Sequence, residues 1–97
     1  MQKSTWGKLR VILNDGTKWH IPFRLCGNDI EIDTQIKHHL TCFGNNYPDG
    51  KMICSTDDGD IERGMRDIEM IMMVRDDTGK IACIDFTSDE REVCVSE

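Results

Sequence analysis

The sequence predicts an α+β fold, in which one antiparallel sheet of about five strands carries a single helix on one face. Three observations lead to this prediction. Apolar and polar residues alternate at both ends of the chain, a helical apolar stripe lies between them, and turn-forming residues separate the strand-like segments. The predicted order is ββ-α-βββ, and a length of 97 residues suits one small domain covering residues 1–97.

The first two strands are predicted to form a hairpin. Lys8–Leu13 and Lys18–Leu25 both alternate apolar with more polar residues, and Asn14–Gly16 between them is a strong turn signal. A two-residue loop would set the apolar row of one strand opposite the polar row of the other. A three-residue loop instead pairs Val11 with Trp19 and makes one continuous apolar face, so the sequence favours the three-residue loop.

A helix is predicted over Thr34–Phe43, after a short extended segment at Asp29–Ile32. Asp33 is a suitable N-cap, and Gly44 is a suitable residue to end the helix. Apolar residues recur at spacings of four and three, which gives the helix one face that can cover the sheet. This stripe consists of Ile36, Leu40 and Phe43.

The segment that follows the helix lacks a clear periodicity. Gly, Asn and Pro are frequent in Gly44–Asp60, which is therefore predicted to be the least ordered part of the chain. Asp57–Arg66 is predicted to contain one further helical turn, although Gly59 and Gly64 weaken it.

The last third is predicted to be a three-stranded meander of Ile68–Arg75, Lys80–Thr87 and Arg91–Ser96. A three-residue Asp77–Gly79 loop and a two-residue Asp89-Glu90 loop place eight apolar residues on one face of these strands. They are Met70, Met72, Val74, Ala82, Ile84, Phe86, Val93 and Val95.

The charge of the chain is predominantly negative. Twelve Lys and Arg stand against 18 Asp and Glu, a formal net charge of −6 at pH 7. Residues 57–97 hold thirteen of the acidic and five of the basic residues, so the C-terminal part is the acidic part. Because neutralising phosphates needs a basic surface, the net charge argues against direct binding of DNA or RNA, and equally against an anionic membrane.

The cysteines and the lack of an export signal predict a cytoplasmic protein with free thiols. Five cysteines are an odd number, and their spacing is irregular. No apolar run approaches the length of a membrane span, and the N-terminus lacks the apolar core of a signal peptide. No cofactor is predicted, since no phosphate loop occurs.

Four residues form the best candidate metal site. His39 and Cys42 are three residues apart on the predicted helix and can share one face, while Cys26 and Cys54 flank the helix in loops. Zinc is usually held by two closely spaced pairs of ligands, and here only one such pair occurs. A zinc- or small-ligand-binding regulatory module is therefore the alternative function.

The function predicted first is that of a small, acidic, non-enzymatic protein-binding module. No catalytic motif is present, and its partner is expected to be another protein with a basic surface. Carboxylates can substitute for phosphates in a nucleic-acid-binding groove, which is the chemistry of small acidic inhibitors from phages and mobile elements. The residues predicted to contact the partner are Asp57, Asp58, Asp60, Glu62, Asp76, Asp77, Asp89 and Glu90. An apolar patch of Trp6, Ile71 and Met73 is the alternative contact surface.

Overall fold

The computed structural model describes residues 3–87 and 92–96 of the chain. Two long strands come first, followed by one helix, a short hairpin, a 3-10 turn and three further strands. The elements are β1 (Lys3–Leu13), β2 (Lys18–Gly27), α1 (Asp29–Asn45), β3 (Lys51–Thr56), β4 (Gly59–Gly64), the 3-10 turn (Met65–Asp67), β5 (Ile68–Arg75), β6 (Ile81–Asp85) and β7 (Cys94–Ser96). No helix within these residues is long and apolar enough to cross a lipid bilayer.

Five strands form the main sheet in the order β2-β1-β5-β6-β7, and each neighbouring pair is antiparallel. α1 packs on one face of this sheet. The core between them combines Ile32, Ile36 and Leu40 of the helix with strand residues such as Val11 and Ile84. The predicted α+β class, with one helix on a five-stranded antiparallel sheet, is confirmed. The hairpin of β3 and β4 forms a separate two-stranded sheet that the sequence analysis did not predict.

β1 and β2 form the predicted hairpin in the predicted register. Val11 pairs with Trp19, which leaves Asn14–Gly16 as a three-residue loop. Gly16 has a φ of 91°, a conformation that glycine adopts without steric cost. Both strands extend beyond their predicted bounds, because the alternation continues in segments that also contain polar residues and glycine.

α1 begins earlier than predicted, at Asp29 rather than after a cap at Asp33. Asn28 is the N-cap: its side-chain oxygen accepts a hydrogen bond from the Glu31 amide at 2.8 Å, and the Glu31 carboxylate accepts one from the Asn28 amide at 3.1 Å. This reciprocal capping box satisfies two backbone donors at once. The predicted extended segment at Asp29–Ile32 is therefore wrong, since these residues form the first turn of the helix.

The helix also continues past Gly44, its predicted end, and finishes at Asn45. A Cβ atom at Gly44 would lie 2.6 Å from Cδ1 of Ile84. Glycine occupies this position because the helix comes very close to β6, and it does not serve to terminate the helix.

The segment predicted to be poorly ordered and then helical forms a hairpin instead. β3 and β4 pair along their whole length, with Asp57-Asp58 as a two-residue turn and Gly59 at a φ of 118°. Met52 and Cys54 are buried in the core, so the local pattern is the alternation of a strand. The predicted helical turn is wrong, and only Met65–Asp67 adopts a 3-10 turn.

β5 presents the opposite face to the one predicted. Ile71 and Met73 are buried beneath α1, whereas Met70 and Met72 are half-buried on the other face of the sheet. The turn explains the difference, because the loop to β6 has four residues, Asp76–Gly79, rather than three. A shift of one residue in register moves every side chain of a strand to the other face.

This correction removes most of the alternative contact patch. Ile71 and Met73 are 0% and 4% exposed, so neither is available to a partner. Trp6 is 55% exposed and remains a candidate contact residue.

β6 and β7 pair with Ala82 opposite Val95 and Cys83 opposite Cys94. The predicted register placed Ile84 opposite Val95 and differs from the observed one by two residues. A shift of two residues keeps each side chain on its predicted face, so the faces of β6 and β7 agree with the prediction. The Asp89-Glu90 turn lies outside the described residues.

Candidate functional site

The hairpin of β3 and β4 collects four of the predicted contact residues, and we call residues 51–64 the acidic ribbon. Asp57 and Asp58 form its turn, and Asp60 and Glu62 follow on β4 at a spacing of two. Successive residues of a strand point to opposite faces, so Asp60 and Glu62 share one face. All four carboxylates are exposed. The ribbon therefore carries four exposed carboxylates, two in its turn and two on β4.

The two faces of the acidic ribbon differ in chemistry. Met52 and Cys54 on the inner face are 6% and 5% exposed and belong to the core. Ile53 on the outer face is 63% exposed and lies opposite Glu62. The same outer face carries Asp60 and Glu62, so it offers a partner both carboxylates and an apolar side chain. Lys51 pairs with Glu62 at 3.0 Å, but both side chains are largely exposed, and such pairs contribute little to stability.

Backbone hydrogen bonds hold the base of the ribbon to the rest of the fold. The amide of Met65 donates to the carbonyl of Gly50 at 2.9 Å, and the amide of Asn14 donates to the carbonyl of Asp67 at 2.9 Å. The Arg63 guanidinium lies 5.9 Å from the centre of the Trp19 ring, within the range of a cation–π contact. These contacts tie the ribbon to the β1–β2 loop end of the sheet.

Asp76 and Asp77 lie at the opposite end of the sheet from the ribbon. The ribbon precedes β5 in the chain, and Asp76 and Asp77 follow its other end. The eight residues of β5 between them span roughly 25 Å. The predicted residues therefore do not form one continuous acidic surface. Asp89 and Glu90 lie outside the described residues.

Asp77 belongs to an ion cluster around Arg75, a residue to which the sequence analysis assigned no role. The Arg75 side chain is 1% exposed and points toward α1. Its Nε and Nη2 donate to the two oxygens of Asp77 at 3.0 and 2.7 Å. Nη1 donates to Asp33 at 2.9 Å, and Nη2 also donates to Asp29 at 3.0 Å. The guanidinium thus joins the first turns of the helix to the β5–β6 turn.

The carboxylates of this cluster change the pKa of Arg75. The hydrogen bonds that Arg75 donates to Asp77, followed by those that it donates to Asp29 and Asp33, raise the pKa of Arg75 above its ordinary value, against the opposing effect of burial. Lys80 adds a second cation, with its Nζ 3.4 Å from Asp33. Because three carboxylates are directed at Arg75, the cluster is structural and holds the helix onto the sheet. The carboxylate of Asp77 is committed to this contact.

An open cavity of about 350 Å³ lies beside this cluster, between α1 and the edge formed by β6 and β7. Ile30 and Val95 stand at its rim and are 78% and 56% exposed. Lys37 and Lys80 also line it. Its walls are largely apolar, and the guanidinium within it is already hydrogen-bonded to carboxylates.

The four residues of the alternative zinc site are not brought together. Cys26 is the second-last residue of β2 and has an exposed side chain, Cys54 is buried in β3, and His39 lies on the side of α1 that borders Leu25. No three His, Cys, Asp or Glu side chains within residues 3–87 and 92–96 are arranged to hold a metal ion. The zinc module is therefore not proposed further.

One cysteine–histidine contact does occur on α1. The Cys42 sulfur lies 3.6 Å from Nε2 of His38, one helical turn away, and both side chains are exposed. Cys42 is close to the C-terminus of the helix, whereas activated cysteines typically lie at helix N-termini or beside cations. The pair therefore lacks the environment that activates a cysteine nucleophile.

The burial of the cysteines predicts their order of alkylation. Burial raises the pKa of the Cys54 thiol, and burial followed by the proximity of Cys94 and Asp85 raises that of Cys83. A raised pKa lowers the thiolate fraction at neutral pH, and only thiolates react readily with N-ethylmaleimide. We expect the exposed Cys26, Cys42 and Cys94 to react first, Cys83 more slowly, and Cys54 only after unfolding. Peptide mapping by mass spectrometry measures this order. Modification of Cys54 in the folded protein at the rate of Cys42 would show that the ribbon's inner face is not packed.

Comparisons of the chain with models of protein families, with curated proteins and with solved structures give no match. The function is therefore inferred from the arrangement of the chain's own residues.

Proposed function

We propose that this protein is a non-enzymatic binding module that docks its acidic ribbon on a basic surface of another protein. The observation that carries the proposal is the clustering of Asp57, Asp58, Asp60 and Glu62 on one hairpin that also exposes Ile53. A protein that handles nucleic acid is the expected partner, because the carboxylates can occupy the positions of phosphates in its binding groove. In that role the protein acts as an inhibitor.

The shape of the ribbon suits this role. The turn of the hairpin, which carries Asp57 and Asp58, is narrow enough to enter a groove, and the base of the ribbon is held by the backbone hydrogen bonds of Asn14 and Met65. The charges are therefore held in place before the partner arrives, which reduces the entropy lost on binding. Ile53 supplies an apolar contact at the centre of the charged face, where the interface would exclude water.

The ribbon also explains how recognition can be fast. Complementary charge mainly accelerates association, and it does so less as salt screens the charges. We therefore expect affinity to fall steeply when the salt concentration is raised from about 50 to about 500 mM, with most of the change in the association rate constant.

Charge reversal on the ribbon tests the proposal. The variant Asp57→Lys with Asp60→Lys leaves Asp58 and Gly59 in place, so the turn is preserved. We expect it to weaken partner binding by about 10-fold or more, mainly through slower association, with little change in the melting temperature. The partner is first captured from an extract of the source cells with the wild-type protein and identified by quantitative mass spectrometry. Affinity is then measured with the purified partner.

A matched control separates the ribbon from overall charge. Asp76→Lys with Glu92→Lys makes the same change in net charge at exposed positions away from the ribbon, and we expect binding close to that of the wild type. Equal weakening by both variants, or by neither, would contradict docking through the ribbon. When the captured protein binds nucleic acid, the wild-type protein should also compete with a DNA duplex, and the ribbon variant should not.

A further inference from the structure

The face of the sheet that α1 does not cover has a different chemistry from the rest of the surface. Alternate residues of β1 and β2 point away from the helix, and six of them form what we call the basic hairpin face. They are Trp6, Lys8, Arg10, Lys18, His20 and Arg24. The sequence analysis missed this face because it considered the charge of the whole chain.

The register of β1 and β2 sets these side chains beside one another. Trp6 pairs with Arg24 and Arg10 pairs with His20, and directly opposed residues of an antiparallel pair share one face. Lys8 lies between Trp6 and Arg10 on β1. The cations therefore follow the length of the hairpin, and an exposed indole ring stands at one end.

The charge of this face is opposite in sign to that of the protein. The described residues of β1 and β2 that point away from α1 include four Lys or Arg and no Asp or Glu, whereas the whole chain has a net charge of −6. Carboxylates of the other strands on this side lie at its margins. Asp76 follows β5 beside Trp6, and Asp85 is on β6, where its carboxylate accepts hydrogen bonds from Thr87.

Arg10 lies at the centre of the face with a donor still to satisfy. Its Nε atom is buried and has no hydrogen-bond partner within the part of the chain that the structure describes. Arg10 lines a small cleft of about 230 Å³ together with Lys18, His20 and Met72. A guanidinium that lines an open cleft can donate to an oxygen of a bound anion.

We propose that the basic hairpin face binds single-stranded nucleic acid, with phosphates along Lys8, Arg10 and Arg24 and one base stacked on Trp6. A row of cations along a strand can contact successive phosphates of an extended nucleic acid strand. An exposed aromatic ring stacks on an unpaired base of any sequence. This binding is independent of the acidic ribbon, which lies on a separate hairpin. It departs from the expectation based on net charge, because net charge does not show how charges are distributed.

Single strands suit this face better than a duplex or an acidic peptide. The face is the broad surface of a five-stranded sheet, and the bases of a duplex are paired and stacked, so they do not offer Trp6 a free face to stack on. An acidic peptide would satisfy the cations but would leave Trp6 without a planar partner. The 55% exposure of Trp6 beside Arg24 therefore favours a ligand with unstacked bases.

Fluorescence anisotropy with a fluorescein-labelled oligo-dT of about 15 nucleotides tests the proposal. We expect saturable binding at about 50 mM salt, together with quenching of tryptophan fluorescence. Trp6→Ala should weaken binding by about 10-fold because it removes the stacking contact. Arg10→Gln with Arg24→Gln should lower the slope of log affinity against log salt by about 1.4, since each phosphate contact on a single strand contributes about 0.7.

Two controls make the result specific. Lys37→Gln with Arg66→Gln removes two exposed cations elsewhere and should leave both the affinity and the salt slope unchanged. Circular dichroism confirms that each variant is folded, and Trp6→Ala remains informative should the arginine variant fail to fold. The ribbon variant Asp57→Lys with Asp60→Lys should still bind oligo-dT, so failure of the ribbon proposal and failure of this one are distinguishable.

Three outcomes would overturn the proposal. The first is the absence of saturable oligo-dT binding at about 50 mM salt. The second is equal weakening by the Lys37 and Arg66 control, which would mark a nonspecific effect of charge. The third is binding of poly-glutamate of similar length as tightly as oligo-dT and without dependence on Trp6, which would assign the face to an acidic protein.

Discussion

Arg75→Ala is expected to lower the free energy of unfolding by about 3 kcal/mol, toward the lower end of the range for breaking a buried ion pair. The substitution removes a side chain that is 1% exposed and leaves Asp29, Asp33 and Asp77 close together without their shared cation. These carboxylates are partly exposed and can regain water, so the loss stays below the full cost of a buried, unpaired charge. Urea denaturation monitored by circular dichroism measures the change.

Two further variants separate charge from packing at this position. Arg75→Met keeps most of the buried volume but removes the charge, so we expect it to be less destabilising than Arg75→Ala. Asp77→Asn should destabilise more than Asp33→Asn, because Asp77 accepts two hydrogen bonds from the guanidinium and Asp33 accepts one. Stability equal to the wild type for Arg75→Ala would show that the ion cluster does not hold α1 to the sheet.

The contribution of Arg75 should not vary with pH near neutrality. Its pKa is raised in the folded protein, chiefly by the hydrogen bonds to Asp77. A raised pKa of a basic group gives stability that is complete below the unfolded-state pKa and is lost only as pH rises through the folded-state pKa. Both values are far above neutral. The difference in stability between the wild type and Arg75→Met should therefore be the same at about pH 6 and about pH 9, as far as it depends on the protonation of Arg75.

Gly7→Ala is the second substitution with a large expected effect, a loss of about 3 kcal/mol in the free energy of unfolding. A Cβ atom at Gly7 would lie 2.3 Å from Cζ of Phe23 and 2.4 Å from the backbone oxygen of Val74. The Phe23 ring can move, but the carbonyl belongs to the neighbouring strand and cannot move without disturbing the pairing of β1 with β5. Thermal unfolding monitored by circular dichroism measures the loss.

Gly64→Ala is the matched control. The nearest atoms to a Cβ at Gly64 are 3.8 and 3.9 Å away, which is ordinary van der Waals contact, and we expect almost no change in stability. The double variant Gly7→Ala with Phe23→Leu should recover only part of the loss, because the clash with the Val74 carbonyl remains. A melting temperature of Gly7→Ala equal to that of Gly64→Ala would contradict the close approach of β1, β2 and β5 at this point.

The start of α1 is marked by a local signal in the sequence. Asn28 followed three residues later by Glu31 is the pattern of a capping box, and it marks the true start of α1. Asp33 is an equally good cap by residue type alone. It lies inside the helix because its carboxylate is bound by Arg75, a residue 42 positions away.

In the candidate sites too, some features follow from the local sequence and others from the tertiary structure. Asp57, Asp58, Asp60 and Glu62 are close in sequence, so their proximity on the acidic ribbon needed only the correct local structure. The basic hairpin face depends on the pairing of β1 with β2. That pairing was predicted correctly, but charge was summed along the chain rather than by face. The separation of Asp76 and Asp77 from the ribbon depends on the position of β5 in the sheet.

The sequence by itself determined the α+β class, the β1–β2 register and the apolar stripe of the helix, because alternation, turn residues and helical spacing act between near neighbours. Only the tertiary structure decided which face of β5 is buried. Met70 and Met72 alternate with Ile71 and Met73, so both faces of that strand are apolar enough to enter the core. The four-residue turn sets the observed register, and Arg75 lies on the same face as Ile71 and Met73, where Asp77 in that turn and the distant Asp29 and Asp33 neutralise it beneath α1. A preference that arises from contacts between residues far apart in the chain leaves no periodic pattern in the strand itself.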